Sequence, residues 1–179
     1  MCIRDSARVM IVTATGSGPI RPQQRSALAY AEDGQRGVPL TLSMHGAPDS
    51  PAALISQRYG ITGPAHAVSA TCASGAVGLG EALRALRHGY ADAAIVIGVE
   101  DCINPANLAS NANMRALASG FNDRPQEASR PFDRDRAGFV MSAGAAAVVL
   151  ESDAAVRRRG GQELAELARE VFGEERVHV

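Results

Sequence analysis

A cysteine set between an apolar run and a helical pattern limits most strongly what this chain can fold into. Residues 65–71 are apolar and β-branched and read as a buried strand that stops at Cys72. Small residues follow at once: Ala73, Ser74, Gly75 and Ala76. A helical pattern then carries Ala76, Leu79, Leu83 and Leu86 on one face and Glu81, Arg84, Arg87 and His88 on the other, and Gly89 ends it. Residues 93–99 are continuously apolar, too short for a helix and typical of a strand covered on both faces. Strand, helix and strand in so few residues make a βαβ unit, so the two strands are expected to be parallel with a right-handed crossover. Cys72 falls where strand turns into helix, where unpaired N–H groups and the positive end of the helix dipole favour a thiolate. Two readings stay open on the residues alone: a nucleophile on a tight elbow, or a small buried core cysteine.

The flanking sequence extends the α/β pattern. Residues 9–15 read as a strand, stopped by Gly16-Ser17-Gly18-Pro19. That turn follows a strand as phosphate cradles do, but it lacks both G-x-G-x-x-G and a P-loop lysine, so no phosphate site is assigned. Residues 22–33 are weakly helical and 38–44 read as loop or extended chain. Asp49-Ser50-Pro51 opens a helix with Asp49 as the candidate N-cap, and Gly60 closes it. After a loop over 100–107, residues 107–119 are helix-like, 120–138 form a long charged loop, 145–150 a strand and 152–159 a helix broken by Gly160-Gly161. Gly75, Gly78 and Gly80 each weaken the cysteine helix, so that helix is expected to be packed closely on all sides.

Composition removes several function classes. The net charge of -1, the 4% aromatic content and the lack of Trp argue against nucleic-acid or membrane-surface binding. The three cysteines, Cys2, Cys72 and Cys102, are far apart with no C-x-x-C pair. They suggest neither disulfides nor a zinc site, and a reducing cytoplasm. No cofactor or metal is expected. No apolar run reaches the ~20 residues a membrane span needs, and no secretory signal is visible. Residues 1–8 are read as a non-native or disordered leader, 9–160 as a single α/β unit, and 161–179 as an unplaced tail.

Several motifs in register resemble one family. Ser69-Ala70-Thr71-Cys72-Ala73-Ser74-Gly75 is similar to the active-site signature of the β-ketoacyl-acyl-carrier-protein synthases, the condensing enzymes of fatty acid and polyketide synthesis. Tyr59-Gly60-Ile61-Thr62-Gly63-Pro64 fits the lead-in to that signature. Gly89-Tyr90-Ala91-Asp92-Ala93, Gly98-Val99-Glu100, Arg115-Ala116-Leu117-Ala118, the loop from Ala128 to Arg136 and Gly138-Phe139-Val140-Met141 resemble later family motifs in the same order.

The resemblance implies a thiolase-like layered α-β-α-β-α fold, usually dimeric as a homodimer or heterodimer, with most of the N-terminal half present here. It implies that Cys72 is the nucleophile that carries an acyl thioester, with its backbone N–H as an oxyanion donor. Acyl carrier protein bearing acyl and malonyl groups is the implied partner. The family's two catalytic histidines lie in its C-terminal half; His45, His66, His88 and His178 do not match them, so the chain alone is expected not to condense. Asn111 falls where fatty-acid-making members commonly have a pocket phenylalanine, which assigns it to the acyl pocket and argues against a long straight chain. Ala137 and Ser142-Ala143-Gly144 depart from the family pattern. Alternatives are a non-catalytic chain-length-type partner subunit, which typically lacks the cysteine, and a thiolase-type enzyme acting on coenzyme A thioesters. Arg124, Arg130, Arg134 and Arg136 alternate with Asp123, Asp133 and Asp135. They form either a solvated loop held by ion pairs or an edge for an acidic carrier protein. Glu100 is either structural or pocket-lining, and Cys102 is read as incidental.

Overall fold

The computed structural model describes residues 3–167 and 177–178; Cys2 and most of the tail lie outside the described residues. Two compact units are present. One holds the described residues up to Glu100 and from Ala145 onward, and the other is Asp101–Gly144.

The first unit is built on a six-stranded sheet: β1 (Val9–Ala14), β2 (Ala65–Val68), β3 (Ala93–Asp101), β4 (Ala143–Ser152), β5 (Glu166–Leu167) and β6 (Val177–His178). The strand order is β2-β1-β3-β4-β6-β5. β1 pairs parallel with both β2 and β3, so β2 and β3 are parallel to each other with β1 between them. β6 runs antiparallel to both β4 and β5. The apolar run expected to be a buried strand through Thr71 is shorter and more open than its composition suggests. β2 stops at Val68 and lies at the edge of the described sheet, half-exposed over His66 to Val68. Residues 69–73 are turn.

Side-chain alternation along β1 divides the core. Met10 and Val12 face one side with Ala94 and Val96 of β3, beneath Ala82, Leu83 and Leu86 of the helix α4 (Ser74–Arg87). Val9 and Ile11 face the other side, with Ala52 of α3 (Ser50–Tyr59) and with Ile61. The α4 stripe that is buried runs Ser74, Gly78, Ala82, Leu83, Leu86, at i+4 and i+3 spacing. Ala76, expected on that face, is exposed. β3 is not covered evenly. Ala94 and Val96 are buried, whereas Ile95 and Ile97 are half-buried, and Ile95 lines an open groove of about 980 Å³ with Val9, Ile55, Ile61 and Val149.

Gly78 sets how closely α4 approaches the sheet. A Cβ there would lie 3.1 Å from the Ala14 Cβ and 3.2 Å from Val96 Cγ1. Gly75 and Gly80 have nothing within 4 Å of such an atom, so close packing explains one of the three glycines and not all of them. The N-terminus of α3 also departs from expectation. Asp49 makes no capping hydrogen bond there. The orphan N–H of Ala52 instead donates to the buried Thr13 hydroxyl of β1 at 3.1 Å, so the sheet caps the helix. Gly60 ends α3 in the left-handed region, φ 64°.

The remaining elements are α1 (Ile20–Asp33), a short α2 (Leu42–His45) where loop was expected, α5 (Pro105–Asn113) and α6 (Asp153–Arg159). Ser152 caps α6 by accepting from the Ala155 N–H at 3.3 Å. Ser6 and Arg8, set aside as leader in the sequence reading, are tied into the first unit. The Ser6 carbonyl accepts from Thr62 and Gly63 N–H groups, and Arg8 pairs with Asp92 at 3.0 Å.

In the second unit α5 is capped by Asn104, whose side chain accepts from the Asn107 N–H. The chain leaves α5 through Arg115 in the left-handed region, φ 55°. The charged loop contains a 3-10 turn, Pro125–Glu127. Glu127 sits 3.7 Å from Arg124 and 3.6 Å from Arg130. Both guanidinium groups lie over the Phe121 ring. The loop's arginines are therefore organised in part by a glutamate and a phenylalanine that the charge pattern did not single out.

Candidate active site

Cys72 lies two residues ahead of the first residue of α4 and is exposed. The reading of Cys72 as a buried core cysteine therefore does not describe its surroundings in this chain. The bend that delivers it is made by its neighbours. Thr71 has φ 49°, a region that costs a β-branched residue on the order of 1–3 kcal/mol. Three hydrogen bonds hold it there. The Ser74 hydroxyl donates to the Thr71 carbonyl at 2.6 Å and accepts from the Ala70 N–H at 2.9 Å. The Ser74 N–H also donates to the Thr71 carbonyl, at 3.2 Å. Ser74 is buried, so these bonds are shielded from competing water. The small residues that drew attention in the sequence thus differ in role: Ser74 staples the turn, and Gly75 touches nothing within 4 Å through its would-be Cβ.

A second turn packs against this elbow. In the turn after β1 the consecutive Gly16 and Ser17 N–H groups point inward, as in a phosphate cradle, while the Thr15 N–H donates to the Val68 carbonyl of β2. The place of an anion is taken by Glu100 at the end of β3. Its Oε2 accepts from the Gly16 N–H at 2.6 Å and the Ser17 N–H at 3.1 Å, with the Thr15 hydroxyl at 3.4 Å. The Gly18 N–H is bound to the Thr15 Oγ1 at 3.0 Å. An internal carboxylate therefore fills the nest that the glycine turn makes. Gly16 is needed because a Cβ there would meet Glu100 Oε2 at 2.9 Å and the Thr71 carbonyl oxygen at 3.0 Å. Ser69 adds a bond from its hydroxyl to the Gly16 carbonyl at 3.2 Å. Sequence reasoning found Cys72 and marked Glu100, but missed Thr71, Ser74 and Gly16 as its supports. The available signal was a charged residue ending an apolar strand, one strand away from a glycine turn.

Asn111, which the resemblance assigns to the acyl pocket, belongs to the Asp101–Gly144 unit. Its side-chain amide donates to the Asn107 carbonyl one turn back on α5 at 2.8 Å, so one of its two N–H donors is already used by its own helix. Cys102 is half-buried in the same unit. Among the described residues no cluster of three potential metal ligands occurs, and no helix is long and apolar enough to cross a membrane.

Comparison with known proteins matches this architecture. Residues 3–155 match the family described as beta-ketoacyl synthase, N-terminal domain. The mitochondrial 3-oxoacyl-[acyl-carrier-protein] synthase of Arabidopsis thaliana is 44% identical over 113 residues, covering 63% of this chain and 24% of that protein. The 3-oxoacyl-[acyl-carrier-protein] synthase 2 of Mycobacterium bovis is 36% identical over 167 residues, covering 91% of this chain and 39% of that protein. The chain thus spans well under half the length of these relatives. Among solved structures, a beta-ketoacyl synthase from Burkholderia phymatum superposes with a TM-score of 0.74 at 26% identity, over 88% of this chain and 38% of that one. A ketosynthase in complex with its type II polyketide acyl-carrier protein superposes with a TM-score of 0.81 at 24% identity, over 88% of this chain and 40% of that one, a likeness of fold. With its cysteine elbow, its parallel β1, β2 and β3, and a family match over most of its length, this chain belongs to the β-ketoacyl synthase family and has a thiolase-like fold.

Proposed function

We propose that this chain is the cysteine-bearing part of a 3-oxoacyl-acyl-carrier-protein synthase and that Cys72 is its nucleophile. The observation that carries the reading is an exposed thiol on a turn that Thr71 and Ser74 hold under strain at the start of a long helix. The Cys72 sulfur attacks the thioester carbonyl of an acyl carrier protein. The carbon–sulfur bond to the carrier breaks, the proton of the Cys72 thiol ends on the carrier's released thiol, and a Cys72 acyl thioester remains. The Cys72 backbone N–H is assigned to the oxyanion, with a second donor from the part of the family fold that this chain does not match. Condensation with a decarboxylating malonyl carrier protein, which forms the 3-oxoacyl product and carbon dioxide, is assigned to the longer protein, whose histidines serve that half-reaction. Asn111 is assigned to the acyl pocket, where a polar residue disfavours a long straight chain. The longer protein is read as a homodimer or heterodimer. A free, exposed thiol suits a reducing compartment, which both the cytoplasm and the mitochondrion named for the Arabidopsis relative provide.

The test incubates the purified chain with an acyl carrier protein thioester and maps the adduct by mass spectrometry. We expect acyl mass on the peptide holding Cys72, absent in Cys72→Ser. A folded chain that gains no adduct, or gains it only on Cys102, refutes self-acylation at Cys72. The chain-length-subunit reading predicts that same negative result, but such subunits typically lack the cysteine that stands here.

A further inference from the structure

We propose that Glu100 is a positioning residue for Cys72, acting through the glycine turn and the strained Thr71. The inference rests on Cys72 being the nucleophile. The chain of contacts is short. Glu100 Oε2 binds the Gly16 and Ser17 N–H groups. Gly16 lies so close to Thr71 that even a methyl group would reach its carbonyl oxygen at 3.0 Å. Thr71, in the left-handed region, is the residue immediately before Cys72. Ser69 ties the same turn to the segment leading into the elbow.

The carboxylate is poorly suited to a purely stabilising role. No cation pairs with it among the described residues, and its Oε1 is buried without a hydrogen-bond partner. A buried carboxylate oxygen left in that state costs free energy, and a neutral acceptor would hold the turn with less desolvation. What the carboxylate supplies is a short charge-assisted grip on two consecutive N–H groups. That grip fixes Gly16 where it faces the Thr71 carbonyl and leaves the threonine little room to relax to an ordinary φ. Positioning residues of this kind keep a nucleophile within the small tolerance that productive attack requires.

The experiment measures the rate of Cys72 acylation by acyl carrier protein thioester in the wild-type chain, Glu100→Ala, Glu100→Gln, Thr71→Gly and the Thr71→Gly/Glu100→Ala double variant, at a temperature where all are folded. Hydrogen exchange is followed in peptides covering 14–19 and 69–75. Glu100→Ala should slow acylation at least about tenfold, since a misplacement of roughly 1 Å costs up to about a hundredfold. Glu100→Gln should fall between wild type and Glu100→Ala, because its amide oxygen can still accept both N–H groups but without the charge that shortens them. Glycine at 71 occupies the left-handed region freely, so the Glu100→Ala effect should shrink in the Thr71→Gly background. Exchange should rise in both peptides for Glu100→Ala, and by less for Glu100→Gln. The inference is overturned if Glu100→Ala acylates like wild type, if Glu100→Gln fares no better than alanine, or if exchange in 69–75 does not respond. A wild-type chain that takes no acyl group counts against the nucleophile reading instead, and the exchange comparison then decides whether Glu100 holds the elbow.

Discussion

Replacing one glycine of α4 tests the packing that carries the cysteine helix. Gly78 and Gly80 lie two residues apart in the same helix, so alanine gains the same intrinsic preference at each, about 1 kcal/mol. Their surroundings differ. At position 80 the new methyl meets nothing within 4 Å, so Gly80→Ala should keep the full gain. At position 78 it would lie 3.1 Å from the Ala14 Cβ, 3.2 Å from Val96 Cγ1 and 3.6 Å from Val12 Cγ1. The Ala14 Cβ is fixed to the β1 backbone, and valines have little χ1 freedom with which to move aside. Helix and sheet must therefore separate by a few tenths of an ångström, a form of overpacking that costs about 1–3 kcal/mol. Set against the propensity gain, Gly78→Ala should lose about 1 kcal/mol, leaving the two variants about 2 kcal/mol apart. For a chain of this size that is roughly 4–8 °C in melting temperature, measurable by circular dichroism and by urea titration. If Gly78→Ala melts with or above Gly80→Ala, α4 does not sit on β1 as closely as described.

Two further expectations concern the supports of the fold. Thr13→Val keeps the shape of the side chain but leaves the Ala52 N–H without its acceptor; the buried donor should cost about 1–3 kcal/mol in urea titration, while Thr13→Ser recovers most of it. Asp92 is held below the ordinary carboxylate range, first by its hydrogen bond to the Arg8 guanidinium and then by the charges of Arg8 and Arg158, against the opposing effect of burial. A carboxyl whose folded pKa is depressed contributes stability above its unfolded value, near 3.9, and that contribution fades as pH falls through the folded value. The melting temperature of the wild type should therefore exceed that of Asp92→Asn at neutral pH, with the gap closing below about pH 4. A gap that stays constant into strong acid would show that these ion pairs do not act as described.

Much of the first unit could be read directly, because short-range patterns specified it. The alternation of β1, the continuous apolar run of β3, the glycines after α3 and α6, and the small residues around Cys72 each report a local constraint that the backbone must meet wherever it lies. The strand at 65–71 was overextended because an apolar, β-branched run looks the same whether it ends at Val68 or at Thr71; the Ser74 staple that turns the chain depends on a hydrogen bond across the bend. Asp49 looked like a cap by type and position, yet the bond to Ala52 comes from Thr13, 39 residues away.

What the sequence determined by itself was the βαβ unit, the cysteine at its strand-to-helix turn and the family to which they point. These follow from periodicity, residue size and spacing, which act between near neighbours in the chain. Only the tertiary structure decided which glycine bears the close approach of helix to sheet. It also placed Thr71 in the left-handed region and turned Glu100 inward to occupy the Gly16-Ser17 turn. The physical reason is that these draw on contacts between segments far apart in the chain: Gly78 meets Ala14 across 64 residues, Gly16 meets Thr71 across 55, and Glu100 binds Gly16 at a separation of 84, with the local Ser74 bonds completing the bend at Thr71. Packing and hydrogen bonding select such contacts when the sheet assembles, and no local propensity encodes them.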